Sequence, residues 1–117
     1  MKAYKMINVE ESAEIVTAAL NRPKLNLFND QMIDEIIQAC HSLRNNARAR
    51  FVILTARGDH FSAGIDLAAI KESGITAEDA RIKQLAGHEM MRCLENLEQV
   101  TVAALRGIVC GAGMAVA

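Results

Sequence analysis

A chain of 117 residues suits one domain with one core. Apolar residues make up 51% and charged residues 23%, and 13 Lys+Arg against 14 Asp+Glu leave a net charge of −1. With one Tyr, three Phe and no Trp, that balance argues against a basic, base-stacking surface and so against nucleic acid as a partner.

In chain order, the segment from Tyr4 to Val9 alternates, Glu10-Glu11-Ser12 is a polar break, and Ala13 to Leu20 carries the β-branched run Ile15-Val16-Thr17. Two short strands joined by a polar turn predict a hairpin. Pro23 stops the second strand, because it lacks the ladder donor and restricts Arg22. Asn29 is suited to cap a helix whose stripe is Met32, Ile33, Ile36, Ile37, Cys40 and Leu43. Phe51-Val52-Ile53-Leu54-Thr55 predicts a strand buried on both faces. A short helix from Leu67 to about Glu72, capped by Asp66, follows a loop and ends at Gly74. Thr76 and Asp79 form a capping-box pattern. The helix it opens runs to about Leu97, with Ile82, Leu85, Ala86, Met90, Cys93, Leu94 and Leu97 inward. Thr101 to Leu105 predicts another buried strand, and Gly111-Ala112-Gly113 opens a last helix. The whole is an α/β chain.

Two stretches share one physical shape: a buried strand, a glycine turn, then a helix start. They are Phe61-Ser62-Ala63-Gly64-Ile65-Asp66 and Cys110-Gly111-Ala112-Gly113-Met114. Small residues there let a ligand approach the backbone, and unsatisfied N–H groups point outward from a helix start. Two such donors aimed at one oxygen make an oxyanion hole. Taken singly, either stretch is an ordinary strand–helix turn. Neither is a GxGxxG or Walker loop.

The combination carries a resemblance. Asn21-Arg22-Pro23-Lys24-Leu25-Asn26 is similar to the N-R-P signature near the start of the crotonase (enoyl-CoA hydratase/isomerase) superfamily. The run from Phe51 to Leu67 resembles that family's strand and F-x-A-G-x-D-L loop, and Val100 to Ala117 resembles its glycine-triplet segment. The similarity covers almost the whole chain, in the family's order. It implies the N-terminal portion, residues 1–117, of a crotonase-like (ClpP/crotonase) spiral of ββα turns that binds acyl-CoA thioesters, as a homo-trimer or hexamer. It implies no bound cofactor, coenzyme A being part of the substrate. The oxyanion donors carry over to the backbone N–H of Ile65 and Ala112, and the loop residues Ala63, Gly64, Asp66, Leu67 and Gly111 to the substrate-binding backbone. Lys24 carries over to a CoA phosphate contact.

Ala115 stands where hydratases of the family carry a glutamate just after the glycine triplet. Alanine neither gives nor takes a proton, which favours isomerase-like chemistry over hydration. The alternative is a truncated, non-catalytic relative that binds only acyl-CoA or partner subunits. An unrelated doubly wound α/β domain is disfavoured by the opening hairpin. Asp59 and His60 beside the first turn make an acid–base pair by eye but read as a polar loop, and Asp66 reads as a cap. His41 follows Cys40 with nothing to complete a Cys/His/Asn set. No CxxC or HxxxH spacing predicts a metal site. The apolar runs are far shorter than a membrane span. The early polar residues do not form a secretory leader, and Cys40, Cys93 and Cys110 read as reduced thiols, so the expected location is cytoplasmic. The uncapped run 111–117 predicts that the chain is a portion of something longer. Its last strand and helix would then expose an apolar face that partner subunits cover.

Overall fold

The computed structural model describes residues 4–72, 74 and 76–117. Strands β1 (Ile7–Ser12) and β2 (Ile15–Leu20) form the expected hairpin, antiparallel, with Ser12 opposite Ile15. The turn is tighter than the sequence suggested. Glu10, Glu11 and Ser12 continue β1, and Ala13, at φ 55°, makes the reversal with Glu14. Charged side chains at the end of an edge strand need not break it when they face solvent.

Helix α1 (Asp30–Arg44) starts where the side chain of Asn29 accepts the Met32 N–H at 2.9 Å. Its stripe is buried as expected, with Ile37 half-buried. Glu35, also buried, accepts the N–H groups of Lys5 and Met6 at 3.0 and 2.8 Å and so ties α1 to the entry of β1.

The chain then runs through β3 (Phe51–Ala56), α2 (Leu67–Glu72), α3 (Ala77–Glu95), β4 (Val100–Ala103) and α4 (Ala112–Val116). The four strands form one sheet in the order β1-β2-β3-β4, with β2, β3 and β4 parallel. Each parallel step is crossed by helix, as parallel pairing requires. The strand–helix turns pack one after another along this sheet. The main core lies between the sheet and the α1–α3 pair, around Leu20, Phe28, Met32, Phe61, Met90 and Cys93.

Three expectations about burial need correction. β3 is not buried on both faces: Phe51 is 41% exposed, and Leu54 borders a hollow of about 340 Å³ together with Val102. β4 is exposed rather than buried, with Val100 and Val102 more than half open. An apolar strand reads as buried from its composition, but an edge position leaves one side and part of each face uncovered. In α3, Ile82 and Leu85 are 59% and 57% exposed, whereas Met90 and Cys93 are buried. Met90 and Cys93 belong to the main core, and another face of the helix, carrying Ala80, Lys83, Gln84, Gly87 and His88, walls an open cleft. α3 carries the predicted capping box, with Thr76 and Asp79 each accepting the other's N–H, and it ends at Glu95 with Asn96 as C-cap.

Candidate active site

The N-R-P segment acts first as scaffolding. Asn26 is fully buried, at φ 48°. Its side chain accepts the Arg22 N–H at 2.8 Å and donates to the carbonyls of Arg57 and His60, both at 2.9 Å. Arg22 in turn pairs with Asp66 at 2.7 Å. The carboxylate of Asp66 also accepts the Ala69 N–H at 3.0 Å, so it caps α2 as expected. The Ala69 amide first, and then Arg22, hold its carboxyl below the usual range. One polar chain thus fixes both ends of the Gly64 loop.

The second turn is bound to the first by a short parallel pairing. Ser62 N–H donates to Ile108 O at 3.2 Å, and Cys110 N–H to Ser62 O at 3.1 Å. The ring of His60 accepts the Ile108 N–H at 2.9 Å. His60 is therefore a strut between the two turns and does not pair with Asp59 by any hydrogen bond among the described residues. Beyond that single bridge Gly111, at φ 57°, turns the chain into α4, so the pairing ends there.

On the other side, Phe28 N–H donates to Gly64 O at 2.8 Å and Asp66 N–H to Phe28 O at 3.0 Å. That parallel pattern turns the Ile65 N–H away from Phe28, towards the side occupied by residues 109–112. Gly111 at φ 57° caps α4 without a side chain, which leaves Ala112 as the first residue of the helix. Among the described residues, neither the Ile65 nor the Ala112 N–H donates to a protein oxygen.

The glycines account for the close approach. Gly64 has φ +113°, and a Cβ there would lie 3.6 Å from the Ala112 nitrogen and 3.4 Å from Cys110 O. A Cβ on Gly113 would fall 2.5 Å from Ser62 O, so α4 can rest on the first turn only if that position has no side chain.

Ile65 and Ala112 both line one cleft of about 710 Å³. Its floor is Phe28, Ile65, Asp66, Gly111 and Ala112, and its far wall is one face of α3. Of the residues singled out in the sequence, Ile65, Asp66, Gly111, Ala112 and Ala115 line it. Ala63 and Gly64 are not lining residues, though Gly64 packs against Ala112; Ala63 is held by its N–H to Leu25 O at 3.0 Å. Lys24 and Leu67 are exposed and do not border the cleft.

Sequence reasoning passed over the α3 wall. Ala80, Lys83, Gln84, Gly87 and His88 face the cleft. Their three- and four-residue spacing, interleaved with the predicted inner stripe, was the available signal. Of the ionisable groups on the cleft, Asp30 pairs with Lys83, and Asp66 with Arg22. His88 has no hydrogen bond or ion pair among the described residues.

The enoyl-CoA hydratase/isomerase family model matches residues 10–117. The chain belongs to that family. It is 30% identical to a crotonyl-CoA hydratase of Syntrophomonas wolfei over 113 residues, which is 95% of this chain and 43% of that protein. It is equally 30% identical to 4-chlorobenzoyl coenzyme A dehalogenase-1 of an Arthrobacter species, over 92% of this chain and 40% of the relative. Among solved structures, an enoyl-CoA hydratase/isomerase from Xanthobacter autotrophicus Py2 superposes with a TM-score of 0.91 at 27% identity, over 97% of this chain and 43% of that one. The chain therefore spans less than half the length of the relatives it matches. Equal identity to a hydratase and a dehalogenase leaves the reaction to be argued from the cleft. No helix among the described residues is long and apolar enough to cross a membrane.

Proposed function

We propose that this chain supplies the thioester-binding half of an acyl-CoA enzyme. The N–H groups of Ile65 and Ala112 hold the thioester carbonyl oxygen and stabilise the enolate formed when an acyl proton is removed. The observation that supports this reading is that Ile65 and Ala112, whose N–H groups donate to no protein oxygen among the described residues, line one cleft, with Gly64 packed against the Ala112 nitrogen. Developing negative charge on the oxygen strengthens both hydrogen bonds, so the transition state gains more than the ground state.

Ala115 on the cleft favours double-bond migration or related enolate chemistry over water addition, which needs two proton-handling groups. On this reading the imidazole of His88 stands on the cleft wall as a group able to accept a proton where Ala115 is not. Coenzyme A belongs to the substrate and no separate cofactor is required. Lys24, Ala63 and Leu67 belong to the outer CoA path, away from the acyl cleft.

Ala112→Pro tests the reading, because it removes one donor at a helix position that tolerates proline. Turnover of a short enoyl-CoA falls by a hundredfold or more. An unchanged rate in a folded variant refutes the role of that amide. His88→Gln slows exchange of the acyl α-proton with deuterium oxide by about a hundredfold while acyl-CoA binding is retained. Exchange at the parent rate removes His88 from the reaction. Binding without turnover in the parent chain favours a non-catalytic acyl-CoA-binding role.

A further inference from the structure

We propose that His41, Glu89 and Cys93 form a binding site for a thiophilic divalent cation of the zinc class, closed across the α1–α3 helix pair. None of the three lines the acyl-CoA cleft, so the site stands or falls independently of the function proposed above.

Position comes first. Glu89 and Cys93 are one helical turn apart on α3 and therefore share a face. His41 comes from the facing helix, near the C-terminal end of α1. Cys93 Sγ lies 3.9 Å from His41 Nε2 and 3.4 Å from Glu89 Oε1, and the three ligand atoms all lie within 4.8 Å of one another. Zinc sits about 2.3 Å from sulfur and about 2.0–2.2 Å from nitrogen or oxygen, so ligand atoms on a tetrahedron are roughly 3.3–3.6 Å apart. Two of the separations need shifts of only a few tenths of an ångström to meet that geometry.

The donor set then selects the ion. One imidazole, one thiol and one carboxylate suit zinc or cobalt, whereas calcium and magnesium take oxygen ligands. Binding replaces the Cys93 S–H bond with a sulfur–metal bond and sends the proton to solvent. Three protein ligands leave a fourth position for water. Glu89 has an oxygen to spare: Arg92 lies 3.5 Å from Oε2, which leaves Oε1 for the ion and fixes the carboxylate from outside. Cys93 forms the buried floor, while Glu89 is half-buried and His41 is exposed, so an ion reaches the sulfur from the solvent side. Neither neighbouring thiol competes. The Cys40 sulfur is not one of the ligand atoms that lie within 4.8 Å of one another, and Cys110 is exposed on the far turn. The physical effect is a clamp between α1 and the helix that walls the cleft.

Cobalt(II) titrated into the full chain after chelator treatment tests the site. The expected result is one cobalt per chain, with tetrahedral visible bands and a thiolate-to-cobalt charge-transfer band, all displaced by zinc. Cys93→Ser abolishes the charge-transfer band, and Cys110→Ser leaves it. His41→Ala, at an exposed position that does not threaten folding, weakens cobalt affinity by tenfold or more, and Glu89→Gln does the same. Absence of stoichiometric uptake at micromolar cobalt overturns the proposal. So does uptake that His41→Ala and Glu89→Gln leave unchanged, or a band that disappears with Cys110→Ser.

Discussion

Placing a methyl group on Gly64 is the sharpest perturbation of the cleft. The residue has φ +113°, where an L side chain is strained, at a cost of order 1–3 kcal/mol. The new carbon would stand 3.4 Å from Cys110 O and 3.6 Å from the Ala112 nitrogen, both ordinary contacts. The fold therefore survives with reduced stability. Under the proposed function turnover does not, because an acyl oxygen would have to come within about 2.7–3.1 Å of that same nitrogen, and the methyl group crowds its approach. Losing one oxyanion donor costs about 2.7–4 kcal/mol of transition-state stabilisation, or a hundredfold to a thousandfold in turnover. Gly64→Ala is assayed by turnover of a short enoyl-CoA, with thermal unfolding measured alongside. A drop in melting temperature with turnover within threefold of the parent refutes the reasoning, since strain is then the only consequence.

Gly113→Ala acts on the same contact from the other side. Its Cβ would meet Ser62 O at 2.5 Å, so α4 must lift, and overpacking of this kind costs about 1–3 kcal/mol or more. Urea unfolding reads the loss directly. Asp66 contributes to the acid limb of stability. Its folded carboxyl titrates below the ordinary range because of the Ala69 amide and Arg22, whereas the unfolded one does not. The stabilisation is full above the unfolded value and disappears as pH falls through the folded one. Asp66→Asn accordingly lowers the neutral plateau of a stability–pH curve towards its acid end, flattening the acid side, and leaves the slope of the alkaline side unchanged.

Local signals made much of this chain legible. Asn29 with its apolar stripe, and Thr76 with Asp79, marked helix starts that the structure places at those residues. The two glycine turns were visible because a missing side chain is itself a sequence feature. What the sequence obscured was long-range. Arg22 and Asn26 could be seen as a motif, but their work on Asp66, Arg57 and His60 depends on chain segments that meet only after folding. His60 read as loop and proved to hold the second turn. Ile82 and Leu85 followed helical periodicity faithfully, yet the face they sit on meets solvent. Periodicity reports that a face exists, not what lies across from it. The His41–Glu89–Cys93 group has no sequence spacing to find, because its ligands come from two helices far apart in the chain.

In the function proposed here, the acyl oxygen is addressed by peptide groups rather than by side chains. Substitution at Ile65 or Ala112 by most residues leaves the donor itself intact, proline being the exception. The side chains there, and the methyl of Ala115, are free to reshape the room around the acyl group without disturbing its grip. On that proposal substrate preference and carbonyl activation are separable properties: the first can drift by single replacements, while the second is anchored in glycines whose value lies in what they lack.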